Sequence, residues 1–238
     1  MYNSALNMSN HQSLKQLTSA LFILLGLLSL HQITWAEASQ WQLQKDGKIT
    51  VYTRYIEGEQ LKAFKVSTQV KSNLASMLTL LADTDAFPDW FFMMKGMEVI
   101  REPNAEGETY VRLLTEAPWP VKDRDAIIKA TLTQNPQTQE ITIIGVGVPQ
   151  FYPEQKGFVR MPTLESSWRL TPLADGMLEI EMIGHANPGG AIPKWLANLA
   201  VTVMPTRTMK NIHKMLAKEK YQISTAKELQ VFGFDLST

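Results

Sequence analysis

Few groups in this 238-residue chain have side chains that can do chemistry, for it has four histidines and no cysteine. Without cysteine there is no thiol nucleophile, thiolate metal site or disulfide framework. His11 and His31 lie near the N-terminus, His185 at the end of a strand pattern and His213 among lysines. Two separated histidines without a spaced carboxylate motif do not make a metal site, so neither metal nor cofactor is expected. No G-x-S-x-G elbow, phosphate loop or dinucleotide fingerprint occurs, and Gly145-Val146-Gly147 is a bare G-x-G on a strand. Tyr110, Tyr152, Glu108 and His185 are acid/base candidates, but no two form a spaced pair that predicts a reaction. Arg124 is the most unusual group. It shares the alternation of Ala126 and Ile128, so it points inward if the strand begins that early and then needs a carboxylate, carbonyl groups or the polar end of something bound. If the strand begins later, Arg124 pairs at the surface with Asp123 or Asp125.

The elements that position these groups follow an N-terminal segment of different character. Leu17 to Leu30 is an uncharged apolar run with Lys15 before it and Ala36-Glu37-Ala38 after it. The run is short of the roughly 20 residues of a bilayer span and fits a secretory signal. We read residues 1–38 as a cleaved export signal, giving a periplasmic or secreted protein, with an uncleaved anchor as the alternative. The absence of cysteine excludes a lipoprotein anchor. The chain carries 23 basic and 23 acidic side chains. That balance argues against the broad basic surface that nucleic-acid binding requires. Residues 39–220 read as one domain, with 221–238 as a tail whose Val231, Phe232 and Phe234 suggest docking.

Strand patterns cover Ile49 to Ile56, Leu61 to Val70, Met97 to Glu102, Thr109 to Thr115, Asp125 to Thr133, Glu140 to Val148, Leu164 to Thr171 and Met177 to Ala186. Asn73 to Ala82 has helical spacing, and Ile192 to Lys220 reads as a long C-terminal helix. Short connections between successive strands imply an antiparallel sheet. The class is therefore α+β.

Alternation assigns the inner faces: Phe64, Val66 and Val70; Ala126, Ile128, Ala130 and Leu132; Leu164, Ser166, Trp168 and Leu170; Leu178, Ile180 and Met182. Small residues (Ala126, Ala130, Gly145, Gly147, Ser166) recur on these faces, which suits either a cavity or bulk packed from the opposite side. On the last helix, Leu196, Leu199, Ala200 and Val203 form one stripe, and Met209, Ile212 and Leu216 form another about 200° out of phase. Pro205 sits at the change, where a kink would let both stripes meet one sheet, or turn one of them to a ligand or membrane.

Three segments carry a resemblance: PWPVKDRD (118–125), PEQKGFVRM (153–161) with ESSWRLTPL (165–173), and HANPGGAIPKWLAN (185–198). In order and spacing, from about Trp41 to Lys220, they resemble START domains, the lipid-transfer modules related to steroidogenic acute regulatory protein. The resemblance implies a helix-grip fold, a curved antiparallel β-sheet wrapped around a long C-terminal α-helix, with one lipid or other hydrophobic small molecule between them. It implies that Arg124 meets an acid on the neighbouring strand, for which Glu108 is the candidate and Asp123 a competitor. Trp119, Ile128, Trp168, Met182, Leu199, Val203 and Met209 complete the expected ligand-binding set. A monomeric carrier with transient membrane contact is expected, against an enzyme of the wider superfamily or a scaffold for envelope proteins. The 12 methionines, among them Met93, Met94, Met182 and Met209, suit an adaptable lining.

Overall fold

The computed structural model describes residues 40–222, 230–231 and 234–235. The export signal read over residues 1–38 lies outside them, as does Phe232 of the tail. No described helix is long and apolar enough to cross a membrane.

Ten strands form one open sheet: β1 (Gln42–Lys45), β2 (Ile49–Arg54), β3 (Ala63–Lys71), β4 (Met94–Arg101), β5 (Glu108–Thr115), β6 (Asp123–Gln134), β7 (Ile141–Gly147), β8 (Phe158–Arg160), β9 (Thr163–Pro172) and β10 (Met177–Asn187). Their order is β1-β2-β3-β10-β9-β7-β6-β5-β4, with β8 beside β6. The pairs are antiparallel, as the short connections require, except that β8 runs parallel to β6. That exception has a simple cause. β7 occupies β6 only from Ile128 to Gln134, and the chain then returns to fill the vacant start of the same edge, opposite Asp123 to Asp125. Strands β1 and β8 are additions to the sequence reading; at four and three residues they are too short to show a period.

Helix α1 (Leu74–Ala82) starts where Asn73 accepts the Ser76 N–H at 2.9 Å, which satisfies one of the orphan donors of the first turn. It buries Met77, Leu78 and Leu81. The short α2 (Phe87–Trp90) follows. The C-terminal helix is not a single α-helix over 192–220. It comprises α3 (Lys194–Asn198), a π-helical segment (Leu199–Val203) and α4 (Met204–Leu216). A π turn takes one more residue per turn than an α turn, so it rotates the following face backwards. Met209, Ile212 and Leu216 are buried together, as the second stripe requires, whereas in the first the π segment turns Ala200 and Val201 inward instead of Leu199 and Val203. The phase change falls in the π segment, and Pro205 follows it within a helical run that continues from Lys194 to Leu216.

The two ends of this helix do different work. Met209, Ile212, Met215 and Leu216 of α4 pack with Val51, Val66, Leu170, Leu178 and Ile180 in one continuous core. Met209 and Ile212 are fully buried, each stabilising the fold by about 1.5–3 kcal/mol. Beyond α4, Tyr221 is 1% exposed and its hydroxyl donates to the Asp83 carboxylate at 2.6 Å. Lys220 pairs with the same carboxylate. These contacts fasten the far end of the C-terminal helix to the end of α1, whereas among the described residues no side-chain hydrogen bond or ion pair ties α3 or the π segment to the sheet they roof.

Candidate functional site: an apolar cavity under the C-terminal helix

Beneath that roof lies a cavity of about 270 Å³. Thr109, Val111, Leu113 and Thr115 of β5 line it, followed by Arg124, Ala126, Ile128 and Ala130 of β6. Ile143 and Gly145 of β7, Leu164, Ser166 and Trp168 of β9, and Met182, Gly184 and Ala186 of β10 continue the wall. Every second residue on each strand is involved, as a pleated sheet dictates. Leu196, Ala200, Val201 and Met204 close it from above. Ala126, Ala130 and Ser166 thus make space. Gly145 and Gly147 are different: a Cβ would lie 2.5 Å from Ser166 Oγ at the first and 2.9 Å from the Leu164 backbone nitrogen at the second, so these glycines serve the close approach of β9.

An aromatic cluster closes one side. Trp90 meets Phe87 edge to face at 5.0 Å and Trp168 at 6.2 Å, and Phe91 meets Trp168 at 6.2 Å, contacts worth about 0.5–1.5 kcal/mol each beyond area burial. The loop after α2 is tied to the roof helix: the Phe92 N–H donates to Thr208 Oγ1 at 3.2 Å, and the Arg207 guanidinium lies 4.6 Å over the Phe92 ring. Met93 in this loop has φ 69°, a left-handed conformation that is strained for a non-glycine residue. Six methionines face the cavity: Met93, Met94, Met97, Met161, Met182 and Met204. The expectation for Met93, Met94 and Met182 matches this placement.

Arg124 lies on the cavity wall and is 6% exposed. Strand β6 begins at Asp123, early enough to turn Arg124 inward, opposite Thr115 of β5. Its Nη1 donates to the Lys122 carbonyl, while its Nε has no partner. Burial, only partly opposed by the charge of Asp123, lowers its pKa from the usual arginine value. The flanking acids point the other way and are engaged. Asp123 accepts from Lys95 at 2.6 Å and from the Ala117 N–H at 2.9 Å. Asp125, 1% exposed, accepts from Arg112 Nε at 2.8 Å and Arg160 Nε at 2.9 Å. Arg160 also donates to the carbonyls of Pro149, Tyr152 and Pro153, holding the 149–158 loop against the sheet.

Of the expected ligand-binding set, Arg124, Ile128, Trp168 and Met182 line the cavity. Five others require correction. Glu108 shares the outer face of β5 with Tyr110 and Arg112, and pairs with Lys129, so it is not the inner partner of Arg124. Trp119 is 91% exposed. Met209 is packed in the solid core. Leu199 and Val203 lie off the lining because the π segment turns Ala200 and Val201 inward in their place. Of the acid/base candidates, Glu108 faces Lys129 and Tyr110 stacks at 4.0 Å on Phe151 on the outer side, whereas His185 borders the cavity with its Nε2 buried and without a partner. Among the described residues no cluster of three or more metal-ligating side chains occurs. Thr109, Thr115 and Trp90 are lining residues the sequence reading left out; the alternation of β5 was blurred there by Leu113-Leu114, apolar on both faces.

Comparison with known proteins follows this geometry. The START domain family matches residues 30–220. An uncharacterized protein of Pseudomonas aeruginosa is 31% identical over 184 residues, covering 77% of this chain and 90% of its own. The phosphatidylcholine transfer protein of Rattus norvegicus is 25% identical over 170 residues, covering 68% and 77%. The crystal structure of a STAR-related lipid transfer protein from Xanthomonas axonopodis superposes with a TM-score of 0.67 at 34% identity, covering 75% of this chain and 99% of that one. Its fold is the open sheet and C-terminal helix described above.

Proposed function

The chain belongs to the START domain family, and on that premise we propose that it holds one hydrophobic ligand in the cavity and transfers it between membranes. The observation that carries this reading is the apolar pocket between the inner sheet face and the π-helical part of the C-terminal helix. Enclosing an acyl chain there recovers about 0.8 kcal/mol per CH₂ group. The relatives named as lipid transfer proteins support lipid as the class of cargo. A carrier is favoured over an enzyme because, of the four acid/base candidates, His185 alone borders the cavity, with none of the others beside it.

Loading and release need the roof to move. Its less anchored end, α3 and the π segment, is the part expected to open. Trp119 and Trp195, 91% and 51% exposed, stand beside Ala117 and Leu196 of the cavity lining and are the proposed transient membrane contacts. The protein is proposed to work as an exported monomer. Native mass spectrometry after mild purification tests the reading: a single co-purifying lipid is expected, and an empty protein that also fails to take up any fluorescent fatty acid or phospholipid refutes it.

A further inference from the structure

We propose that the ligand of this cavity is an anionic amphiphile whose carboxylate or phosphate head pairs with Arg124, an inference that rests on the carrier reading above. The guanidinium is 6% exposed and lies on a wall that is otherwise almost entirely apolar. A buried guanidinium keeps its proton and needs a counter-charge and acceptors. Within the protein the charge of Asp123 offsets its burial only in part. Among the described residues no carboxylate lies within ion-pair distance of Arg124, since Asp123 is held by Lys95 and Asp125 by Arg112 and Arg160 on the opposite face of the sheet. Glu116 and Glu165, which also border the cavity, are exposed to solvent and form no ion pair with Arg124.

The hydrogen-bond inventory points the same way. Arg124 Nε and Trp90 Nε1 are both buried without a partner, both belong to lining residues, and both can only donate. A cavity with unused donors and an uncompensated positive charge is complementary to a group that accepts hydrogen bonds and carries negative charge. A hydroxyl or ester head would satisfy a donor but leave the charge unanswered. A carboxylate or phosphate does both, and Arg pairs with either.

Dodecanoate, dodecyl phosphate and dodecanol share one chain and differ in the head, so they isolate this contact. With the intact protein, isothermal titration or displacement of a fluorescent fatty acid is expected to show one or both anions binding roughly tenfold or more tighter than the alcohol. The preferred anion identifies the head as carboxylate or phosphate. Arg124→Met is expected to abolish the preference, bringing both anions to within about threefold of dodecanol, with circular dichroism confirming its fold. Equal binding of the three amphiphiles by the wild-type protein overturns the anionic assignment and leaves the carrier reading intact. Binding of none of them, combined with an empty protein by native mass spectrometry, overturns both.

Discussion

Asp125→Asn removes one charge from a nearly isosteric side chain and takes from two guanidinium groups the carboxylate they share, leaving Arg112 its contact to Glu98 at 3.1 Å and Arg160 its backbone carbonyls. The side chains of Arg112 and Arg160 are 7% and 6% exposed, so neither can recover its hydration without moving. Breaking a buried ion pair from one side costs about 3–5 kcal/mol. For a domain of this size each kcal/mol lowers Tm by about 2–4 °C, which gives a fall of roughly 6–20 °C. Thermal and urea unfolding at pH 7 measure it. The pH dependence supplies an independent check. Burial pushes the Asp125 carboxyl upward, but hydrogen bonds from Arg160 and Arg112 and their charges outweigh it and hold the pKa below the usual carboxylate value. The folded state therefore releases this proton more readily than the unfolded chain. Its contribution is fully present above the unfolded pKa of about 4 and is lost as pH falls through the folded value. The gap between wild type and Asp125→Asn must narrow in that acidic window. A loss below about 1 kcal/mol at neutral pH, or a gap that does not change in acid, would refute the assignment of the Arg112–Asp125–Arg160 cluster as a net stabiliser.

Arg124→Met should shift stability in the opposite direction: removing an uncompensated buried charge is expected to leave ligand-free protein as stable as wild type or about 1 kcal/mol more so, read by urea unfolding after delipidation. Gly184→Ala places a Cβ 2.6 Å from Phe64 Cζ, so the ring must swing within the cavity it lines; several-fold weaker dodecanoate binding is expected, with a stability loss of about 1–3 kcal/mol. Thr68 Oγ1 gives its proton to the Lys48 carbonyl at 2.8 Å and lies 2.8 Å from His213 Nε2, so His213 donates through Nε2. Burial, with the Lys48 charge, lowers its pKa below the ordinary value. The unfolded chain then takes up the proton first as pH falls, and stability present above about pH 6.5 declines below it. His213→Gln should flatten the urea-midpoint profile between pH 7 and 5.

The sheet was legible in the sequence because both its faces differ: Ala126, Ile128 and Leu132, or Leu164, Trp168 and Leu170, alternate with polar neighbours, and one register satisfies them. The inward turn of Arg124 was legible from the same alternation once the strand start was fixed. Glu108 was misplaced because the family pattern supplied an acid, whereas the alternation of β5 sends it to the outer face beside Lys129. The π segment was legible only as an anomaly. Two stripes out of phase report that something rotates the helix, and Pro205 is the visible suspect, but hydrogen-bond spacing within Leu199–Val203 is a tertiary outcome set by what the roof must cover. Whether small residues leave space or admit bulk is likewise decided by the facing element, which a strand-by-strand reading does not contain.

The methionine wall has a chemical consequence apart from its adaptability. Thioethers are the oxidisable side chains of a cysteine-free protein, and six of them border the space proposed for the cargo. Oxidation turns each from an apolar surface into a polar, chiral sulfoxide. A peroxidised guest would thus deliver oxidant to the very surface that holds it, and the wall would lose its affinity for hydrocarbon as it reacted. Were the cavity to carry lipid as proposed, its retention of a chain would fall as these methionines are oxidised.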